Sequence, residues 1–228
     1  MPKKKKPKPR QLLVEGKNDR HVIWALCVKY QVPETFSVEI VVDDDAEDRE
    51  TQGIEELLND IPLVLREENL EILGIVVDAD RDLAARWQSV TNKLKEFGYE
   101  GIPKIPLETG WIHTQDEKPR IGVWVMPNNK LPGMLEDFVC YLIPPEDKLQ
   151  GKVITLLDEI ETEGLNKYSS THHSKALIHS WLALQEKPGM PMGQAITAKA
   201  LSNDSETANL FINWLNNLFE LQQLRDKT

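Results

Sequence analysis

One stretch, ILGIVVDADRD, restricts the fold more than any other. Ile72 to Val77 is a near-continuous apolar run that stops abruptly at an aspartate. A central strand of a parallel sheet reads this way, because helices bury both of its faces. The chain should therefore hold a largely parallel sheet with helices around it.

The flanking sequence agrees. QLLVEG predicts a short buried strand ending at Glu15. Lys17 to Tyr30 is helical in pattern, with Val22, Ile23, Leu26 and Cys27 on one face and Pro33 closing the segment. FSVEIVV, residues 36–42, alternates and is β-branched, so it predicts a second strand. Gln52 to Arg66 reads as a helix that Pro62 kinks or breaks, and Leu83 to Phe97 as another that ends at Gly98. WIHT and IGVWVMP, separated by a polar stretch, predict an antiparallel hairpin or two adjacent strands. GMLEDFVCYLI returns to helical character. Strand and helix alternate up to about residue 145, which predicts an α/β domain over 11–145.

From Glu146 onward the pattern is helical only. Leu149, Val153, Leu156 and Ile160 form one apolar stripe, and SKALIHSWLALQ supplies a second. Ala208, Phe211, Leu215 and Leu218 form a third, behind a Ser/Asn/Asp cluster suited to capping. EKPGMPMG reads as a loop. Residues 146–228 are thus expected as an α-helical extension packed on the sheet.

Composition narrows the setting. No apolar run approaches the roughly 18 residues that span a membrane, so no membrane partner is expected. Cys27 and Cys140 sit in apolar runs and read as buried reduced thiols, which makes a cytoplasmic protein the expectation. The net charge of −10 is unevenly spread. PKKKKPKPR carries +6, which leaves −16 for the remainder. Residues 1–10 are expected to form a disordered basic tail. A body so acidic is poorly suited to gripping a phosphate backbone by bulk electrostatics. A nucleic-acid partner would need that field offset locally by cations, a basic patch or the tail.

The residues that carry chemistry lie at strand ends, where open α/β sheets gather function. Glu15 follows the first strand. Asp78 and Asp80 follow the central one, with Asp82 just beyond. Alternate residues leaving a strand point the same way, so Asp78 and Asp80 can converge on one ion. Asp19 lies four residues after Glu15 and can share its face. Crowded carboxylates repel, and a hard divalent cation such as Mg2+ or Mn2+ relieves that repulsion. Gly16 would let the chain turn sharply after Glu15 and let backbone or phosphate approach. The plainer alternatives are strand-end capping for Asp78 and Asp80 and a helix-dipole role for Asp19. Asp43, Asp44 and Asp45 are better read as a solvated loop, His172 and His173 as a polar helix start, and the six tryptophans as core.

A strand ending in Glu-Gly, LLVEGKND, then a strand ending in Asp-x-Asp, GIVVDADRD, resembles the Toprim domain. That domain occurs in topoisomerases, bacterial primases, small ribonucleases and OLD-family nucleases. The resemblance implies a Rossmann-like fold, with Glu15 as general acid/base or metal ligand and Asp78 and Asp80 holding Mg2+. Asp82 would fill a third acidic place, and Asp19 a second-metal place as in the nuclease branch. Gly133, Leu135 and Glu136 are similar to the Gly-x-Leu-Glu of small stand-alone Toprim-related bacterial proteins, which adds Glu136 as a metal-ligand candidate.

The chain departs from the larger members. It has no G-x-x-x-x-G-K-[ST] loop, so an ATPase partner would be a separate chain. It has neither a topoisomerase cleavage domain nor a primase-type zinc cluster. The reading is a Mg2+- or Mn2+-dependent nuclease acting on DNA or RNA, with Glu15, Asp78 and Asp80 catalytic. The rival from another class is a catalytically inactive Toprim-like module that binds nucleic acid or protein. A haloacid-dehalogenase-type phosphatase also uses Asp-x-Asp, but DADRDL lacks the Thr or Val expected next and leaves Glu15 idle.

Overall fold

A computed structural model of the protein describes residues 8–40, 53–202 and 205–221. Five strands form one sheet: β1 (Arg10–Val14), β2 (Ser37–Ile40), β3 (Ile72–Asp78), β4 (Trp111–His113) and β5 (Arg120–Met126). Their spatial order is β2-β1-β3-β5-β4. β1 pairs in parallel with β2 and β3, and β3 with β5, while β4 runs antiparallel on β5 as the edge of a hairpin. The fold is thus mixed α/β with a mostly parallel central sheet. Arg10 already belongs to β1, and residues 1–7 of the predicted tail lie outside the described residues, as do Asp43, Asp44 and Asp45.

The helices are α1 (Lys17–Lys29), α2 (Gly53–Val64), α3 (Leu83–Glu96), α4 (Leu135–Cys140), α5 (Lys148–Thr162), α6 (His173–Ala183), α7 (Met192–Thr197) and α8 (Glu206–Leu218). Alternation along the strands sorts the core into two layers. Leu12, Val14, Val76, Trp124 and Met126 face α1, α4 and the later helices. Leu13, Leu73, Ile75, Val77, Ile121 and Val123 face α2 and α3. β3 and β5 are buried on both sides, which is why they read as continuous apolar runs.

The C-terminal helices share the first of these layers. Gly74 and Gly122 are cross-strand partners on β3 and β5. A Cβ at either would meet Leu218 of α8 within 3.0 Å, so the two glycines form a trough that seats that side chain. Trp214 Nε1 donates to Trp111 O at 3.2 Å, and Arg10 Nη1 to Phe219 O at 3.2 Å. Ser205 caps α8, as its capping cluster predicts.

Several expectations need correction. On α5 the buried residues are Val153 and Leu157, while Leu156 is 48% exposed; the buried stripe lies one position round from the predicted one. Pro62 does not break α2, which runs two residues further with one main-chain donor missing. The EKPGMPMG loop ends early, because Met192 starts α7. A Cβ on Gly193 would fall 2.7 Å from His21 O, so tight packing on α1 selects that short helix against weak local propensity. Five tryptophans are core, but Trp24 is 46% exposed. Ser170–His172 is a single 3-10 turn leading into α6, as expected of a polar helix start. No helix among the described residues is long and apolar enough to cross a membrane.

Candidate active site

β1 hands its chain to α1 and thence to β2 on one side; β3 sends it through α3 to β4 and β5 on the other. α1 and α3 lie on opposite faces of the sheet. The carboxyl ends of β1 and β3 therefore flank the point where the winding reverses, the place at which sheets of this kind form a ligand crevice. Glu15 leaves β1 and Asp78 ends β3 at that crevice.

The two are joined directly. Glu15 Oε1 accepts the Asp78 main-chain N–H at 2.7 Å. Asp78 Oδ1 accepts the Leu135 N–H at 2.9 Å, which fixes the start of α4 beside β3. Gly133 prepares that start. Its φ of +138° excludes most side chains, and its N–H and C=O both bond to Asp80, at 2.7 and 2.8 Å. Asp137 turns back to accept the Met134 N–H at 2.8 Å and also pairs with Ser174 Oγ of α6. The Gly-x-Leu-Glu segment thus has a mechanical reason: it presents the Leu135 N–H to Asp78 and buries Glu136, 5% exposed, nearby.

Asp19 enters from the first turn of α1 and is 8% exposed. Burial first, then the charges of Glu15 and Glu136, push its carboxyl up to about 8. Burial likewise raises Glu15 to about 7; the Asp78 N–H bond and Arg86 oppose that rise, and Asp80 adds to it. Asp78 is driven well above the usual carboxylate range by burial and by Glu15, Asp19, Glu136 and Asp80 in that order. Taken as whole residues, Glu15 and Asp78 are partly buried, while Asp19 and Glu136 are buried.

The structure brings Glu15, Asp19, Asp78 and Glu136 together and treats the other two candidates differently. Asp80 has φ +51°, which ends the extended alternation that would aim it alongside Asp78. Its carboxylate pairs with Arg86 instead. Asp82 is exposed and caps α3, its Oδ1 accepting the Ala85 N–H at 2.9 Å; its charge is not among those acting on Glu15, Asp19 or Asp78. Gly16 is extended, φ −152°, a conformation open to any residue, so the sharp turn expected of it is not made. A Cβ there would meet only Asp19 Oδ2, at 3.5 Å.

Two cations escaped the sequence reading. Arg86 holds Asp80 and acts on Glu15, and Lys175 Nζ lies 3.7 Å from Glu136 Oε1. Arg86 had a signal: a cation in the first turn of a helix opposes the dipole and implies an anion nearby. Lys175 had none, because α6 is nearly a hundred residues from β3.

Among the described residues, no three His, Cys, Asp or Glu side chains are gathered as they stand into an arrangement ready for a metal ion. Charge and donor type do fit a hard divalent cation. A cation would relieve the same repulsion that a bound proton relieves, through the oxygen ligands that Mg2+ and Mn2+ prefer.

Fold and site together define an α/β protein with an acidic crevice at the winding reversal of a mostly parallel sheet. The chain belongs to the family described as Protein of unknown function (DUF3226), whose model matches residues 9–220. No curated protein and no solved structure matches it.

Proposed function

We propose that the protein is a divalent-metal-dependent phosphodiester hydrolase acting on DNA or RNA, built on a Toprim-like site. One observation supports this most: four carboxylates from separate segments, Glu15, Asp19, Asp78 and Glu136, converge at the carboxyl ends of β1 and β3, with burial and mutual charge raising three of them. The Glu-Gly and Asp-x-Asp motifs resemble the Toprim domain, the Glu15 to Asp19 spacing its nuclease branch, and Gly-x-Leu-Glu the small stand-alone Toprim-related proteins.

In this reading Glu15, Asp19, Asp78 and Glu136 would hold Mg2+ or Mn2+, with Asp80 at the margin. A divalent ion there would neutralise charge and act as a Lewis acid on a phosphoryl oxygen. Glu15, raised to about 7, is suited to taking or giving a proton near neutrality. The Asp78 N–H occupies Glu15 Oε1, which would leave the other oxygen for a reacting group. Free thiols at Cys27 and Cys140, both pushed up to about 12 by burial, suit a reducing cytoplasm.

A second reading, an inactive binding module, is favoured by the internal ties themselves. Asp80 with Arg86, Glu15 with the Asp78 N–H, and Asp78 with the Leu135 N–H would equally serve to pin loops. Cleavage of single- and double-stranded DNA and RNA, in Mg2+ or Mn2+ against chelator, separates the two. Glu15→Gln keeps an oxygen for the Asp78 N–H but loses the ionisable group. Metal-dependent cleavage that falls by about 10²–10⁴-fold in Glu15→Gln, with nucleic-acid binding kept, is expected. Wild-type cleavage that Glu15→Gln leaves intact would sink the assignment, and binding without cleavage under any metal would favour the inactive module.

A further inference from the structure

A second hollow adjoins the acidic crevice. It is a cleft of about 530 Å³ between the β3–α3 turn and the segment that leads into α6. Asp80, Arg81 and Arg86 line one wall, and Ser169, Thr171 and His172 line the other. Ala79 and Asp80, the two residues that follow Asp78, line this cleft. The cleft thus lies beside the carboxylates along the chain that leaves β3.

Its chemistry differs from theirs. Two guanidinium groups, an imidazole and a set of hydroxyls make a lining rich in hydrogen-bond donors. Arg81 is exposed, has no ion pair among the described residues, and donates its Nε–H to Thr171 Oγ1 at 2.6 Å. That bond joins the two walls and leaves both Nη groups for an anion. Arg86 is 13% exposed, and its Nε–H has no acceptor. Asp82 lines the cleft too, but its cap bond turns it to the α3 N–H groups. Of the lining residues only His172 carries a ring, so nothing there resembles a stack of aromatic platforms for bases.

We propose that this cleft seats a backbone phosphate of the nucleic acid next to the scissile one, through Arg81 and the hydroxyls of Thr171 and Ser169, without reading the base. The inference rests on the hydrolase reading for its substrate class. It answers the charge problem of the sequence: an acidic body can grip a polyanion where Arg81, not engaged in an ion pair among the described residues, stands beside the site. It also gives the helical extension a part in binding, since the second wall belongs to it.

The test is equilibrium binding of the full chain to two fluorescein-labelled single-stranded oligonucleotides of equal length, an oligothymidylate and a mixed sequence. Anisotropy is read in chelator across a salt series, so that cleavage plays no part. Arg81→Gln is expected to weaken both oligonucleotides alike, roughly tenfold, and to flatten the salt slope by about 0.7. Thr171→Val should weaken both without changing the slope. Arg81→Glu should weaken binding further, and circular dichroism of this exposed site should stay unchanged. Wild-type affinity and slope in both Arg81 variants would overturn the proposal while leaving the hydrolase reading intact. Loss confined to one oligonucleotide would overturn it as base reading. A wild-type protein that binds neither would overturn it outright. Binding that depends on Arg81 in a protein that never cleaves would uphold the cleft and refute the hydrolase.

Discussion

Glu15 Oε1 accepts the main-chain N–H of Asp78 at 2.7 Å, across 63 residues of sequence. The bond is made by backbone on one side, so the two carboxylates are held together whatever rotamer Asp78 adopts. Asp78 in turn spends one oxygen on the Leu135 N–H. Three chain segments meet through two hydrogen bonds, each accepted by a carboxyl oxygen from a main-chain N–H.

That arrangement separates Asp78 from Asp82, although both belong to DADRD. Asp78→Ala combined with Asp80→Ala should abolish Mn2+ binding in calorimetry. Asp82→Ala should keep the metal affinity and lose about 0.5–2 kcal/mol of stability, the usual cost of an N-cap. Loss of Mn2+ affinity in Asp82→Ala would make it a ligand rather than a cap.

Stability should depend on pH through Asp19. Its carboxyl ordinarily titrates at 3.8 and is raised to about 8 in the fold. Between those values the folded protein keeps a proton that the unfolded chain has released, so unfolding free energy falls as pH rises. The favourable contribution is whole below about pH 4 and is gone above about pH 8. Each such group adds a slope of at most about 1.4 kcal/mol per pH unit. Urea unfolding in chelator from pH 5 to 9 should show declining stability, and Asp19→Asn should flatten the decline in part, because Glu15 and Asp78 shift the same way. An unaltered slope in Asp19→Asn would mean that Asp19 is ionised in the fold throughout.

The trough under α8 offers a test remote from the site. Gly122→Ala puts a methyl within 2.8 Å of Leu218. Overpacking of this kind costs about 1–3 kcal/mol, and the melting temperature should drop by several degrees. Leu218→Ala combined with Gly122→Ala should cost less than the sum of the two single losses, because the shortened side chain makes room for the methyl. Equal melting in wild type and Gly122→Ala would mean that α8 shifts freely on the sheet.

The strands were legible because burial on two faces leaves little room for polar residues: β3 and β5 declare themselves. Glu15 and Asp78 were legible as candidates because one follows β1 and the other ends β3, and Asp19 because it lies four residues after Glu15. What stayed hidden depends on contacts between distant segments. Asp80 reads as the twin of Asp78 until a positive φ turns it to Arg86. Asp82 reads as a ligand until α3 claims it as a cap. Gly74 and Gly122 read as weak points in strands, and only α8 reveals the trough. Lys175 and the Thr171 wall come from a region whose sequence shows apolar stripes and nothing of what they stand beside.

The seating of Leu218 also bears on how the chain reaches its final form. β1 begins at Arg10, and its face is closed by a helix that ends at Leu218; Arg10 bonds to Phe219 O, 209 residues away. Contacts of such long range slow folding, because a large loop must be ordered before they contribute. During synthesis the apolar trough would stay uncovered until the last of these helices left the ribosome. Release cut short before α8 would leave the trough over Gly74 and Gly122 bare, a natural recognition mark for chaperones and proteases.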